Sequence, residues 1–184
     1  MSCDSTADGL QRVRSQPASP KTLVVGLGNP ILGDDGVGWQ VAEAVGDSIA
    51  AGSGRLRNIE VECFALGGLS LMEHLVGYEK AIIVDSIQTR DGKPGQIYHL
   101  TLEDLPNFLT GHTTAAHDTS LQTAMRLGRT MGVDLPEEVA LIGIEAKHVY
   151  DFSEELSPSV AAAVPEAVRA VLELLQIDPL PVSE

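Results

Sequence analysis

The sequence is poor in basic residues, in aromatic residues and in long apolar runs. It contains 12 Lys and Arg against 26 Asp and Glu, which gives a formal net charge of -14. Nucleic acids and anionic membranes require a basic surface, so we expect neither as a partner. No apolar run approaches the roughly 18 residues that a membrane-spanning helix needs. The charge is compatible with a cationic partner, either a metal ion or a basic protein segment.

Cysteine is also scarce. Cys3 and Cys63 form neither a CxxC motif nor a zinc-binding spacing. We expect two free thiols in a reducing compartment, because disulfides are rare in the cytosol. Residues 1–20 lack the apolar segment of a secretory signal. The sequence therefore predicts a cytoplasmic protein, which we expect to act as a monomer.

The chain divides into a short polar head and one domain. Residues 1–20 are polar and contain two prolines, a composition typical of a flexible extension with little to bury. The remaining residues, 21–184, are enough for a single domain with a sizeable core.

Apolar patterning in this domain predicts strands that alternate with helices. The expected strands are 22–27, 59–66, 81–84, 96–101 and 139–144, and the expected helices begin near Val37, Leu69, Thr119 or Ser120, and Val164. A short turn before 96–101 favours an antiparallel edge strand. The pattern predicts a three-layer α/β sandwich, in which a twisted, mostly parallel sheet has helices on both faces. Ligands of such folds bind beyond the carboxyl ends of the strands.

The loop after the first strand is GLGNPILGDDGVG at 26–38, and it has features both for and against a phosphate-binding loop. Its first glycines resemble a dinucleotide fingerprint, but Ile31 stands where the third glycine is required. Asp34 and Asp35 lie where a helix would offer its positive end to a phosphate, and they would repel it. We therefore expect a cation here. One aspartate is expected to cap the helix, and the glycines indicate a close backbone approach.

Two further polar residues are expected at the same edge of the sheet. Asp85 ends a strand that is otherwise apolar, where a charge is costly unless it is paired, capping or bound to a ligand. His117 precedes a predicted helix and is either a solvated side chain or a metal ligand. Two carboxylates and one imidazole suit a borderline divalent metal such as Ni, Zn or Co. The sequence has no GxSxG or HExxH motif, which disfavours a nucleophile-elbow hydrolase.

These motifs resemble those of the hydrogenase maturation endopeptidases. The likeness covers about residues 21–175, and it rests on GLGNPILGDDGVG, on AIIVDSI at 81–87 and on the His117 loop. FALGG at 64–68 and LSPSV at 156–160 add support. The resemblance implies an α/β sandwich enzyme that cuts a C-terminal peptide from the large-subunit precursor of a [NiFe] hydrogenase, after nickel has been inserted.

The resemblance also implies a site. It assigns Asp35, Asp85 and His117 as catalytic residues that contact nickel carried by the substrate, and it leaves Asp34 as the helix cap. Many members have glutamate where Asp35 stands, and the roles of Asp118 and Glu145 stay open. Two other functions remain possible from the sequence: a non-catalytic nickel-binding maturation chaperone and a general metallohydrolase.

Overall fold

The computed structural model describes residues 21–52, 58–104 and 115–177, without the side chains of 115–120. The predicted N-terminal extension, 1–20, lies outside the described residues. The elements are β1 Thr22–Leu27, α1 Val37–Ala51, β2 Ile59–Phe64, α2 Gly68–His74, β3 Lys80–Ile87, β4 Ile97–Thr101, α3 Ala115–Thr130, β5 Glu138–Glu145 and α4 Pro158–Leu174, with a 3-10 helix, Gly33–Gly36, before α1. In the described part of the chain, no helix is long and apolar enough to cross a membrane.

The five strands form one sheet in the order β2-β1-β3-β5-β4. The pairs β1–β2, β1–β3 and β3–β5 are parallel, and β4 pairs antiparallel with β5 at the edge. The mostly parallel sheet and its antiparallel edge strand are therefore as predicted. Strands added on opposite sides of β1 make the β1–β3 boundary a topological switch point, where open α/β sheets bind ligands.

Helices cover both faces of the sheet because alternate residues of the central strands point to opposite faces. On one face, Leu23 and Val25 of β1 join an apolar core that includes residues of α2 and α3. On the other face, Val24 belongs to a second core with residues of α1 and α4. The central strands are buried on both faces, which explains why they read as continuous apolar runs.

The strand predicted to end at Asp85 continues to Ile87, which corrects that boundary. Pairing between β1 and β3 stops at Gly26 and Val84, whereas β3 remains paired with β5 through Ile87. Asp85 therefore sits on a rigid strand at the point where its neighbour on one side has turned away. That departure opens a space beside the strand.

Two helices begin earlier than predicted. Helix α3 starts at Ala115, so His117 lies in its first turn rather than in a loop before it. Helix α4 starts at Pro158 instead of near Val164, and Pro165 is inside it. Pro158 is well accommodated, because an amide hydrogen in the first turn of a helix has no intrahelical partner and its absence costs nothing. The spacing of larger apolar residues missed the first turns of α4, and it also missed that alanines hold much of the buried face of this helix.

Candidate active site at the carboxyl edge of the sheet

The glycines of the 26–38 loop allow the loop to press against the ends of β1 and β3. Gly28 has a φ of +114°, and a Cβ there would lie 1.8 Å from the carbonyl oxygen of Asp35. A Cβ on Gly38 would lie 2.3 Å from the Leu27 oxygen and 2.5 Å from the Val84 oxygen. All three distances are shorter than any tolerable contact. The sequence predicted that these glycines allow a close backbone approach. Among the described residues, Gly28 and Gly38 approach other backbone atoms of this protein.

Asp34 is a fully buried structural carboxylate, and its predicted role as the cap of α1 is wrong. The residue before α1 is Gly36, and no side chain caps that helix. Asp34 instead accepts hydrogen bonds from the amide (2.7 Å) and hydroxyl (3.0 Å) of Ser157 and from the amide of His148 (3.3 Å). Since Ser157 directly precedes α4, Asp34 fastens the loop to the start of the C-terminal helix.

Asp35, its neighbour, is half-buried and held from both sides. Its Oδ2 accepts a hydrogen bond of 2.7 Å from the Asn29 amide, and its Oδ1 accepts one of 3.1 Å from the hydroxyl of Ser86. Ser86 is completely buried in β3, so it is a fixed donor. Each carboxylate oxygen has a second lone pair. The two bonds therefore orient Asp35 and leave it able to bind a ligand.

Asp35 and Asp85 line the same pocket, which lies at the switch point between β1 and β3. The pocket has a volume of about 270 Å³. Its lining residues come from the end of β1, the following loop, the segment after β2, strand β3 and the segment after β5: Leu27, Gly28, Asn29, Leu32, Asp35, Ala65, Leu66, Asp85, Val149 and Tyr150. Two of the three predicted site residues are thus brought together where the fold favours a ligand. Their roles in catalysis and metal binding stay predictions.

The third predicted residue, His117, lies in the first turn of α3, and its side chain is outside the described residues. The same holds for Asp118. Among the side chains that the structure describes, no three His, Cys, Asp or Glu residues are grouped so as to hold a metal ion. The complete trio of Asp35, Asp85 and His117 therefore remains a prediction.

Glu145, whose role the sequence left open, orders the loop that leads into β4. It is buried, with 1% of its surface exposed. Its carboxylate accepts hydrogen bonds from the amide (3.0 Å) and hydroxyl (2.9 Å) of Thr89. A Cβ on Gly92 would lie 2.1 Å from this carboxylate, so the loop packs directly on it. These contacts give Glu145 a structural role.

Cys63 is a free thiol, as predicted, and Cys3 lies outside the described residues. Cys63 is half-buried on β2, opposite Gly26 of β1. Burial and the nearby charge of Glu43 raise the pKa of this thiol above its ordinary value. Because the thiolate is the nucleophilic form of cysteine, Cys63 is poorly suited to nucleophilic catalysis.

Sequence reasoning missed Ser86, Asn29 and Tyr150 as parts of this site. Ser86 offered a weak signal, since it is a hydroxyl within an apolar strand and directly follows Asp85. The backbone amide of Asn29 has no signal in the sequence, because only the fold of the loop aims it at Asp35. Tyr150 reaches the pocket from a segment that lies more than 100 residues after Asp35 in the sequence.

The sequence profile of the HycI family, described as hydrogenase maturation proteases, matches residues 65–174. A protein of Methanocaldococcus jannaschii named as a hydrogenase maturation protease is 30% identical over 82% of this chain and 93% of its own length. The chain belongs to the hydrogenase maturation protease family. The family resemblance of the motifs is therefore confirmed, and so is the assignment as a hydrolase that acts in hydrogenase maturation.

Other relatives of this maturation protease agree in sequence and in fold. The hydrogenase-maturating endopeptidase HybD of Escherichia coli superposes with a TM-score of 0.69 at 25% identity, over 85% of this chain and 92% of that one. The hydrogenase expression/formation protein HupD of Thiocapsa roseopersicina is 25% identical over 86% of this chain and 69% of its own length. The likeness to HybD confirms the α/β fold that the sequence predicts.

Proposed function

We propose that this maturation protease removes the C-terminal peptide from the large-subunit precursor of a [NiFe] hydrogenase, and that cleavage depends on nickel carried by the precursor. The observation that carries the proposal is the convergence of Asp35 and Asp85 on one pocket at the switch point of the sheet. The net charge of -14 suits a cationic group on the substrate. We further propose that the enzyme acts in the cytoplasm as a monomer.

The chemistry of Asp35 fits a nickel contact. Both of its described hydrogen bonds come from neutral donors, a backbone amide and a hydroxyl, so they fix the carboxylate without pairing its charge. Nickel accepts carboxylate oxygen and imidazole nitrogen ligands. In this proposal, Asp35, Asp85 and His117 of α3 contact the metal on the precursor and leave coordination positions for the substrate's own ligands. Contact with the metal then brings the scissile peptide to the pocket.

The same carboxylates can serve peptide hydrolysis. A carboxylate of the pair accepts a proton from a water molecule, and the water oxygen adds to the carbonyl carbon of the scissile bond. The carbon–nitrogen bond then breaks, and the proton passes to the leaving amine. Cleavage conditional on nickel makes the enzyme a checkpoint in maturation instead of a general protease.

The primary test is the loss of the tail from a purified, nickel-loaded large-subunit precursor, followed by mass spectrometry. We expect the wild-type protein to shorten the precursor and Asp85→Asn to leave it intact. Asp134→Asn is the matched control, because Asp134 is an exposed acid near the opposite edge of the sheet, before β5. A precursor left uncut by the wild-type protein contradicts the proposal, as does cleavage by Asp85→Asn at the wild-type rate.

The relatives do not favour the two alternatives, a nickel chaperone and a general metallohydrolase. Metal analysis of the purified protein tests the source of the nickel. If nickel arrives on the substrate, the enzyme alone carries little or none. Tight stoichiometric nickel together with an intact precursor is the result expected of a chaperone, and turnover of small substrates without a partner protein is the result expected of a metallohydrolase.

A further inference from the structure

Three exposed apolar side chains lie on two adjoining segments beside the pocket. The exposed fractions are 48% for Ile31, 62% for Tyr150 and 88% for Phe152. The segments are joined by a hydrogen bond of 3.2 Å from the Ser153 amide to the Ile31 oxygen and by a parallel bridge between Leu32 and Ser153. We call these three side chains the rim patch. Contiguous exposed apolar groups with polar neighbours mark interaction sites more often than single ones do.

The rim patch is continuous with the candidate active site. Tyr150 belongs to the patch and also lines the pocket that contains Asp35 and Asp85. Leu32, which follows Ile31, lines the same pocket. A substrate whose tail enters the pocket therefore brings its neighbouring surface close to the patch.

The backbone beneath the rim patch is fixed before any partner arrives. The Gly33 amide donates to the Ser153 oxygen at 2.7 Å, and the Asp34 amide donates to the His148 oxygen at 3.0 Å. The buried carboxylate of Asp34 adds its bonds to Ser157 and His148. A preorganised surface loses little conformational entropy on binding, which increases its affinity for a partner.

Charges around the rim patch define the chemistry of that partner. Phe152 follows Asp151 and is shortly followed by Glu154 and Glu155, and all three acids are exposed. Because Asp151 contacts Nδ1 of His148 at 2.8 Å, Glu154 and Glu155 are the main source of negative charge beside the patch. We propose that the rim patch docks an apolar surface, flanked by basic residues, on the hydrogenase large-subunit precursor beside its scissile tail. This inference rests on the proposed function and adds a recognition site outside the pocket. Apolar contacts there supply affinity, and the acidic flank supplies orientation and a faster encounter.

The test compares Phe152→Ser with Met131→Ser on the nickel-loaded precursor. Met131 is the matched control, because it is 72% exposed and follows α3 near the opposite edge of the sheet. We expect Phe152→Ser to raise KM by about 10-fold, the effect of losing an apolar anchor, with kcat changed by less than about twofold. Met131→Ser should behave as wild type. A KM for Phe152→Ser within about twofold of wild type overturns the proposal.

A second measurement does not depend on cleavage. A photo-reactive phenylalanine analogue is placed at position 152 or at position 131, and each protein is irradiated with the precursor. We expect a covalent adduct from position 152 and none from position 131; no adduct at 152, or equal adducts at both, overturns the docking site. If the wild-type protein leaves the precursor uncut, the proposed function fails, and the crosslink still decides docking by itself.

Discussion

The two ends of the parallel strands differ in the groups that contact their carboxylates. We call the side of the sheet where these strands begin the amino edge and the side where they end the carboxyl edge. At the amino edge, Glu60 pairs with Lys21 at 3.0 Å, and Glu138 pairs with Lys80 at 2.7 Å. At the carboxyl edge, the hydrogen bonds described for Asp34 and Asp35 come from backbone amides and serine hydroxyls. The first edge neutralises its carboxylates with lysines. At the carboxyl edge, the described donors to Asp34 and Asp35 carry no charge.

This difference suggests that the carboxylates of the amino edge contribute to stability and those of the carboxyl edge that face the pocket to function. Surface ion pairs such as those of the amino edge, in which the carboxylate is exposed, contribute only about 0–1 kcal/mol each. Carboxylates held by neutral donors keep an attraction for cations, and a half-closed pocket strengthens it because screening by water is reduced. We therefore expect the carboxyl edge, and not the amino edge, to attract the cation of the proposed function.

The largest expected effect is the loss of activity in Asp35→Asn. Asparagine keeps the shape of the side chain and removes its charge, so kcat/KM should fall by about 1000-fold, or ~4 kcal/mol of transition-state stabilisation. Tm should change by no more than about 2 °C, because the amide oxygen can keep the bond from the Asn29 amide and the Ser86 hydroxyl can turn to accept from the amide nitrogen. Glu60→Gln, at the amino edge, should retain full activity. Equal activity losses in the two variants would remove the contrast between the edges.

Asp34→Asn should give the opposite pattern, with stability as the main loss. An amide in place of the buried carboxylate cannot accept every hydrogen bond from Ser157 and His148, so one or more donors lose their partner. We expect a decrease of about 3 kcal/mol in the free energy of unfolding, or roughly 10 °C in Tm. Thermal unfolding monitored by circular dichroism measures the change. A wild-type Tm would show that Asp34 does not hold the loop.

Ser86→Ala should have a smaller effect on activity. The variant removes the donor to Oδ1 of Asp35 and leaves the charge in place. A loss of ~1 kcal/mol corresponds to about fivefold in kcat/KM. Ser48→Ala is the control, because the Ser48 hydroxyl also makes one hydrogen bond, to the Ala44 oxygen within α1. A drop in activity as large for Ser48→Ala as for Ser86→Ala would contradict a positioning role for Ser86.

The smallest effect concerns the amino edge and appears only at high pH. Burial and the hydrogen bond to Glu60 raise the pKa of Tyr78 to about 12, well above the ordinary value for tyrosine. A raised pKa in the folded state adds stability that is complete below pH 10 and lost as the pH rises towards 12. The difference in urea midpoint between wild type and Tyr78→Phe should therefore shrink across this range. A constant difference would contradict the assignment.

Much of the fold was predictable because its signals are local. The apolar run of β3 and the spacing in α1 identified a central strand and an amphipathic helix, and alternation of strands with helices identified the architecture. Boundaries were less predictable, since they depend on distant partners. β3 extends to Ile87 because β5 continues beside it, and nothing within AIIVDSI encodes that neighbour.

The site was predictable in part. The meeting of Asp35 and Asp85 in one pocket was predictable, because the carboxyl ends of parallel strands lie together, whereas the choice of Asp35 over Asp34 came from the family resemblance. The role of Asp34 could not be predicted, because its partners His148 and Ser157 are more than 100 residues away. From the sequence, Asp34 and Asp35 differ only by one position. In the fold, that one position separates a buried carboxylate from one that faces the pocket.

The most direct test compares cleavage of nickel-loaded and metal-free large-subunit precursor by the wild-type enzyme under identical conditions. If the carboxylates of the carboxyl edge recognise the metal, the loaded precursor loses its tail and the metal-free precursor remains intact. Equal rates of cleavage for the two precursors would contradict this account.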